Sequence, residues 1–421
     1  MNILKGTLKF RAALSVCVAL TLVIAFSTQF TVAESNLISG EAVVVYASSD
    51  TQVDSIRISD GRVIFREANG DGQYIRSYSI EDESISTIGG GEGRYVGMQH
   101  DSVSYLTGDY LSWVDWTNYI NKVGDKSATV CYNDLNQGTD GELSSDDGMI
   151  FAPTTDKLGY MYWGVLSDDD EKCGMYYSNL NTPEVSPVKF FTFQKRPRFM
   201  TTRAYGGIVT WNCPDVNGDS QLYMFDVDTG VTTWISENLP GNTFWATIQK
   251  DYIYFTSESS IFCYKISDSS ITEVWSQPHG SIEFHTYNNP DGDYLLYTVY
   301  DYSNLKNRKN ELHIYNPVTE KTKVIKQKFF ANSFKINSGS CSGKKVVYAL
   351  KENESSKNPT KIFLYDGETN KTTVLLDSTM SDFGGLYEPV RISGDFAVWE
   401  EATKIESTGR LSFVIKTIRL E

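Results

Sequence analysis

A polar turn followed by an alternating strand that ends on an aromatic residue occurs eight times along this chain. The copies are "DGRVIF" ending at Phe65, "GDYLSW" at Trp113, "LGYMYW" at Trp163, "GGIVTW" at Trp211, "KDYIYF" at Phe255, "GDYLLY" at Tyr297, "GKKVVY" at Tyr348 and "GDFAVW" at Trp399. Successive terminal aromatics lie 48, 50, 48, 44, 42, 51 and 51 residues apart. A beat of that size marks a chain built from one supersecondary unit, which cannot bury its own apolar faces and is completed only by stacking on its neighbours.

The remainder of each unit is also strand-like. After each copy comes a second aromatic-centred run, such as "TVCYNDLN", "LYMFDVDTG", "LHIYNPVTE" or "IFLYDGETN", closed by Asp, Asn, Gly or Thr. Those residues form β-turns, and a shorter strand such as "VTTWIS" or "TTVLLD" follows. Ahead of each turn lies one more strand, as in "DSIRIS", "SVSYLT", "RFMTT" and "PVRIS". Four antiparallel strands in about 40–50 residues is the size of a propeller blade. The expected fold is therefore all-β, a β-propeller of eight four-stranded blades, with seven blades as the alternative. The last unit ends after its third strand, "LSFVIKTIRLE", whereas the first is preceded by a spare strand, "EAVVVYAS". Placing the spare strand at the outer edge of the last blade closes the ring and removes open strand edges. No long stretch carries apolar residues at helical spacing, and the strands draw on Tyr, Phe, Thr, Ser and Val.

The stretch "GGIVTWNCPDVNGDSQLYMFDVDTGVTTWIS" (206–236), repeated in its second half by "KIFLYDGETNKTTVLL" (361–376), resembles the TolB-like propeller family. That family includes the propellers of prolyl-oligopeptidase-type enzymes and many secreted surface repeats. These are scaffold motifs, so the resemblance implies blades rather than a chemistry. Nothing in the sequence matches the α/β domain ahead of the TolB propeller or the hydrolase domain that accompanies the peptidases, so a surface propeller without an attached catalytic domain is expected.

The first residues read as a secretory signal peptide: Lys5, Lys9 and Arg11, an apolar run from Ala12 to Phe26, and small residues up to Ala33. The run is shorter than the roughly 20 residues needed to span a bilayer. The expectation is a signal peptide over 1–33 and a single propeller domain over 34–421, secreted or at the cell surface, or periplasmic in a host with an outer membrane, monomeric and without a membrane span. The chain carries a net charge of −15, which argues against nucleic acid and anionic membranes as partners. A protein or polysaccharide at the cell surface is the partner expected. Beyond residue 33 there are five cysteines, Cys131, Cys173, Cys213, Cys263 and Cys341, with no metal-type pair among them; they read as buried small hydrophobes, with one disulfide between units as the alternative.

Candidate site residues are few. Counting eight positions back from each terminal aromatic gives Arg57, Tyr105, Thr155, Arg203, Thr247, Asn289, Ser340 and Arg391, all polar, on or beside the inner strands. Arg57, Arg203 and Arg391, with His285, would make a partly cationic channel mouth, and arginine forks recognise carboxylates. Trp116, Tyr119, Tyr300 and Tyr302, in the long connections of the second and sixth units, could stack on sugar rings or protein partners. In "DVNGDS", Asp215, Asn217 and Asp219 alternate as in the front half of a calcium loop, but Ser220 stands where that loop needs Gly; no cofactor is expected, with calcium the alternative. "GSCSG" (339–343) has nucleophile-elbow spacing around Cys341 without the strand-to-helix context. The function expected is a binding scaffold for protein or polysaccharide; the alternative is an extracellular carbohydrate-active enzyme, a lyase or hydrolase, with a polar site at the channel mouth.

Overall fold

The structure, a computed structural model, describes residues 42–49, 51–97, 110–121, 128–144, 149–167, 169–183, 186–197, 200–284, 290–301, 303, 309–329, 335–351, 360–377, 390–404 and 411–420. These residues form eight four-stranded antiparallel sheets arranged as the blades of a closed propeller. All eight aromatic-ended segments are second strands: Arg62–Ala68, Tyr110–Asp115, Tyr160–Leu166, Ile208–Pro214, Tyr252–Ser257, Leu295–Asp301, Lys345–Lys351 and Phe396–Lys404. Eight blades, not seven, is the count.

Closure follows the strand count. Val43–Ser48 pairs antiparallel with Leu411–Arg419 and supplies the outer strand of blade 8. Among the described residues the first and last strands thus share one sheet.

The core is divided into eight apolar wedges, one at each interface between neighbouring blades. Blades 3 and 4 meet through Tyr162, Met175, Val209 and Trp211; blades 7 and 8 through Val347, Leu364, Ile392 and Trp399. The wedge between blades 8 and 1, where Val398 and Ile415 meet Val53 and Phe65, completes the ring. All eight terminal aromatics are buried in these wedges, each contributing about 1.5–3 kcal/mol of burial. Because a second strand is covered on both faces, it is buried almost end to end, as in Ile208–Pro214, whereas an outer strand such as Ser84–Glu92 is largely exposed.

The hairpins between third and fourth strands explain the recurring Asp or Asn. In blades 2, 4, 6 and 7 the carboxylate or amide oxygen of Asp134, Asp226, Asn316 or Asp366 accepts hydrogen bonds from the backbone N–H groups two and three residues on. This local bond substitutes for the ladder bonds lost at the turn.

The inner strand of blade 4 is Thr202–Tyr205, beginning where "RFMTT" ends. In blade 2, Val96 and Gly97 pair with Asp115 and Val114, and "SVSYLT" lies outside the described residues. No helix among the described residues is long and apolar enough to cross a membrane; residues 1–33 lie outside them.

Candidate functional site

The polar positions of the inner strands occupy one register. Arg57, Arg203, Thr247, Ser340 and Arg391 each pair with the residue just before the terminal aromatic: Ile64, Thr210, Tyr254, Val347 and Val398. Blade 3 departs by one residue, because Lys157–Gly159 makes a three-residue turn where blades 1, 4, 5, 7 and 8 use two, and Thr154 rather than Thr155 holds the slot opposite Tyr162. The three arginines are 4%, 2% and 5% exposed. Arg57 Nη1 donates to the Ile56 carbonyl and Arg203 Nη1 to that of Thr202, both at 2.8 Å. Arg57 and Arg203 thus each reach the carbonyl of the preceding residue on their own strand. Tyr105, His285 and Asn289 lie outside the described residues.

The Asp215 loop is organised by its own amides. Asp215 Oδ1 accepts hydrogen bonds from the N–H groups of Asn217, Gly218 and Asp219 at 2.8, 2.9 and 3.0 Å. Burial pushes this carboxyl up, but the bonds from Asp219, Gly218 and Asn217 outweigh it and hold the group below the usual carboxylate range. One lone pair set is therefore committed to the hairpin. Among the described residues no group of three or more His, Cys, Asp or Glu is placed to hold a metal ion.

All five cysteines beyond residue 33 are buried free thiols. "GSCSG" runs from strand into turn into strand, and Cys341 Sγ donates to the Gly343 carbonyl at 3.2 Å. Burial pushes the thiols of Cys131, Cys213, Cys263 and Cys341 up to about 12. At pH 8 only about one such thiol in ten thousand is ionised, and the thiolate is the reactive form. Native protein should therefore leave an aromatic disulfide reagent unreacted over an hour, with all thiols titrating once guanidinium is added. A fast-reacting thiol in the folded state would contradict this burial.

The predicted surface aromatics take separate places. Trp116 is half-buried and lies over Gly97, where a Cβ would come within 2.8 Å of its indole nitrogen. Its backbone N–H donates to the Tyr95 carbonyl at 2.8 Å, just ahead of a short helix, Thr117–Asn121, which contains Tyr119. Tyr300 is half-buried on the second strand of blade 6, opposite Ser281 and Asn310. The side chain of Tyr119 and all of Tyr302 lie outside the described residues.

The two ends of the ring differ in chemistry. At the end carrying the turns between first and second strands, Pro290–Asp293 of blade 6 joins four blades. Pro290 O accepts from Lys250 N of blade 5, Asp291 O accepts from Gly343 N of blade 7, and Gly343 O accepts from Asp293 N. Tyr205 of blade 4 donates its hydroxyl to Asp291 Oδ1 at 2.8 Å and accepts from Lys157 Nζ of blade 3 at 2.8 Å. Burial pushes the Tyr205 phenol up, so it stays protonated and can donate. Asp156, fully buried, extends the brace by accepting from Gly207 N of blade 4 at 2.8 Å. Hydrogen bonds thus tie blades 3 to 7 together along this end.

The opposite end, where the chain enters each blade, presents aromatic surface. On the inner strand of blade 5, Thr243–Gln249, Phe244 is 43% and Trp245 42% exposed, although the rest of the strand is buried. A β-bulge produces this: Phe244 pairs with Thr256 and Thr247 with Tyr254, leaving one extra residue on the inner strand. Trp245 sits in the bulge at φ +53°, a left-handed conformation that is a genuine outlier for a bulky side chain. Blades 1 and 3 carry the same bulge with Ser55 at φ +58° and Ala152 at φ +51°. Each strained residue lies two positions before the polar slot. Thr256 Oγ1 donates to the Phe244 carbonyl at 3.0 Å and fixes the bulge of blade 5. Tyr95, entering blade 2, is 39% exposed at the same end. The sequence signal for this site was the adjacent Phe244-Trp245 pair just upstream of Thr247, on a strand that needs no second apolar face toward the channel.

No protein-family model matches the chain, and no curated protein matches it. Solved structures do. Two prolyl endopeptidases studied for inter-domain dynamics in catalysis and specificity are represented by a chain 11% identical to this one, with a TM-score of 0.52, over 86% of this chain and 55% of that one. An oligogalacturonate lyase in complex with manganese is 11% identical with a TM-score of 0.48, over 88% of this chain and 98% of that one. The β-propeller domain of the Trilobed protease from Pyrococcus furiosus is 11% identical with a TM-score of 0.45, over 88% and 94%. This chain thus spans little more than half of the endopeptidase, 55% of its length, and at such identities the likeness is one of fold, a β-propeller.

Proposed function

We propose that this propeller is a binding scaffold for protein or polysaccharide at the cell surface or outside the cell, and that it takes its ligand at the channel end lined by Phe244 and Trp245. The basic-then-apolar N-terminus supports export, and the repeated "YMFDVDTG"-type hairpins support a place among TolB-like propellers. The observation that carries the reading is the exposed aromatic pair on an innermost strand, one member of it held at φ +53°. Left-handed backbone at a non-glycine residue persists only where the surroundings enforce it, and such positions concentrate at functional sites. Two adjacent aromatic faces suit stacking on a sugar ring or on an apolar side chain of a partner. The opposite end, tied by Pro290–Asp293, keeps the ring rigid, so binding costs little ordering of the scaffold.

A glycan array and a pull-down on residues 34–421, each run with Phe244→Ala alongside, test the reading. Capture by the parent chain that falls at least about tenfold in Phe244→Ala is expected, the usual size for truncating an aromatic at the centre of an interface. Capture that is indifferent to Phe244→Ala and to Trp245→Ala would move the site elsewhere.

A further inference from the structure

The chain is acidic overall, with 53 Asp and Glu against 38 Lys and Arg, but residues 306–371 carry fourteen Lys and Arg against six Asp and Glu. This segment builds the outer half of blade 6 and most of blade 7. Where the hairpins of these two blades meet, at the tied end of the ring, lies a cleft of about 250 Å³. Its walls include Tyr294, Thr319, Lys321, Lys323, Tyr365 and Asn370, and no Asp or Glu lines it.

Lys321 and Lys323 stand two residues apart on the outer strand of blade 6, opposite Asn316 and Ile314, and so share one face. Several other lysines sit on carboxylates, among them Lys265 on Asp268, Lys344 on Glu368, Lys345 on Asp395, Lys361 on Asp377 and Lys416 on Glu401, whereas Lys157 sits on the Tyr205 hydroxyl. Among the described residues neither Lys321 nor Lys323 has a carboxylate partner. Lys323 is held in place nonetheless. Its ammonium donates to the Tyr365 hydroxyl at 3.0 Å and to Asn370 Oδ1, and lies 5.1 Å from the centre of the Tyr365 ring. Tyr365 in turn donates to Asn370 Oδ1 at 3.1 Å. An ammonium has three N–H groups, which leaves one of Lys323 for a ligand. Gly367 makes room for the floor: a Cβ there would come within 2.4 Å of the Tyr294 hydroxyl.

Lysines on an outer edge are ordinary protection against strand pairing. That role requires neither a cleft nor a lysine fixed by tyrosine and asparagine. From the cationic, carboxylate-free lining and the tyrosine and isoleucine surfaces around it, we propose that the cleft between blades 6 and 7 is a binding site for an acidic sugar. Lys321 and Lys323 meet its carboxylate, the hydroxyls of Tyr294 and Thr319 meet its ring hydroxyls, and Tyr365 and Ile314 cover its apolar face. The site is separate from the Phe244–Trp245 end, and its test does not depend on that end.

The test is calorimetric titration of residues 34–421 with sodium glucuronate, glucose and inorganic phosphate at low salt. Glucuronate should bind, and weaken as salt is raised. Glucose should bind at least about tenfold more weakly, since the charge-assisted bonds are lost. Lys321→Gln, an exposed substitution that leaves the Lys323–Tyr365–Asn370 bonds alone, should weaken glucuronate about tenfold, and Gly367→Ala should weaken it by closing the cleft on Tyr294. Trp245→Ala should leave it unchanged, which separates this site from the channel end. Equal binding of glucose and glucuronate, phosphate binding as tight as glucuronate, or indifference to both Lys321→Gln and Gly367→Ala would each overturn the proposal.

Discussion

A chain from which Val43–Ser48 has been removed is expected to unfold about 10 °C or more below the parent and to aggregate on heating, the largest stability effect anticipated for any short deletion. Two losses combine. Val45, 7% exposed, packs with Phe413, Ile415 and Val53 in the wedge between blades 8 and 1, and Tyr46 lies 4.9 Å from the ring of Phe65 in blade 1. Removing these side chains and their ladder costs roughly 5 kcal/mol or more, and at about 2 °C per kcal/mol for a large domain that amounts to ~10 °C. The outer edge of Leu411–Arg419, now paired with Val43–Ser48, would also be left open for pairing with another chain. The point variant Val45→Asp separates the two losses. A carboxylate buried in an apolar wedge costs several kcal/mol, so the transition should fall, while the edge stays covered and light scattering in the native state stays at the parental level. A deletion variant melting within about 2 °C of the parent would mean that the ring does not depend on this strand.

That closure was legible from counting strands, and the reason is physical. Each second strand carries a buried aromatic within it because each wedge between blades must be filled, so the beat from Phe65 to Trp399 in the sequence is the beat of the eight wedges in the structure, although every strand runs on past its aromatic. The hairpin Asp and Asn residues were legible for a similar reason, since their role is local and lies within three residues of themselves.

Other features required contacts between distant residues. The slot in blade 3 moved from Thr155 to Thr154 because one turn is a residue longer, and a one-residue change of register reverses the face a side chain occupies. The sequence marks Arg57, Arg203 and Arg391 as polar and inner, but how far each is buried is decided by packing between strands, and here all three are buried. The exposed faces of Phe244 and Trp245 depend on a bulge that no propensity signals. The cleft between blades 6 and 7 joins Tyr294, Lys321 and Tyr365 from separate segments of two blades, so charge along the sequence shows only that the sector is basic.

Trp245→Gly is expected to weaken ligand capture at the channel end about thirtyfold while leaving the melting temperature close to that of the parent, a pairing of effects that a merely structural tryptophan would not give. At φ +53° an L-residue carries a cost of roughly 1–2 kcal/mol that glycine does not. Against this stands the loss of a side chain that is already 42% exposed, so only part of the roughly 1.5–3 kcal/mol available from burying such a group is forfeited. The two terms nearly cancel in glycine. In Trp245→Ala the strain remains and the burial is lost, so this variant should be about 1 kcal/mol less stable than Trp245→Gly. Affinity should follow the aromatic ring and not the backbone, falling in both variants by about thirtyfold, the scale of a central aromatic anchor. Thermal unfolding and binding to whichever glycan or protein the parent captures, measured on both variants, decide the matter. Equal stability of the glycine and alanine variants would mean that the bulge stores no strain, and retained affinity would mean that the aromatic pair is not the recognition surface. The expected order, glycine close to tryptophan in stability and alanine below both, with binding weakened about thirtyfold in each, would show that the fold tolerates a strained tryptophan here because its exposed face is needed.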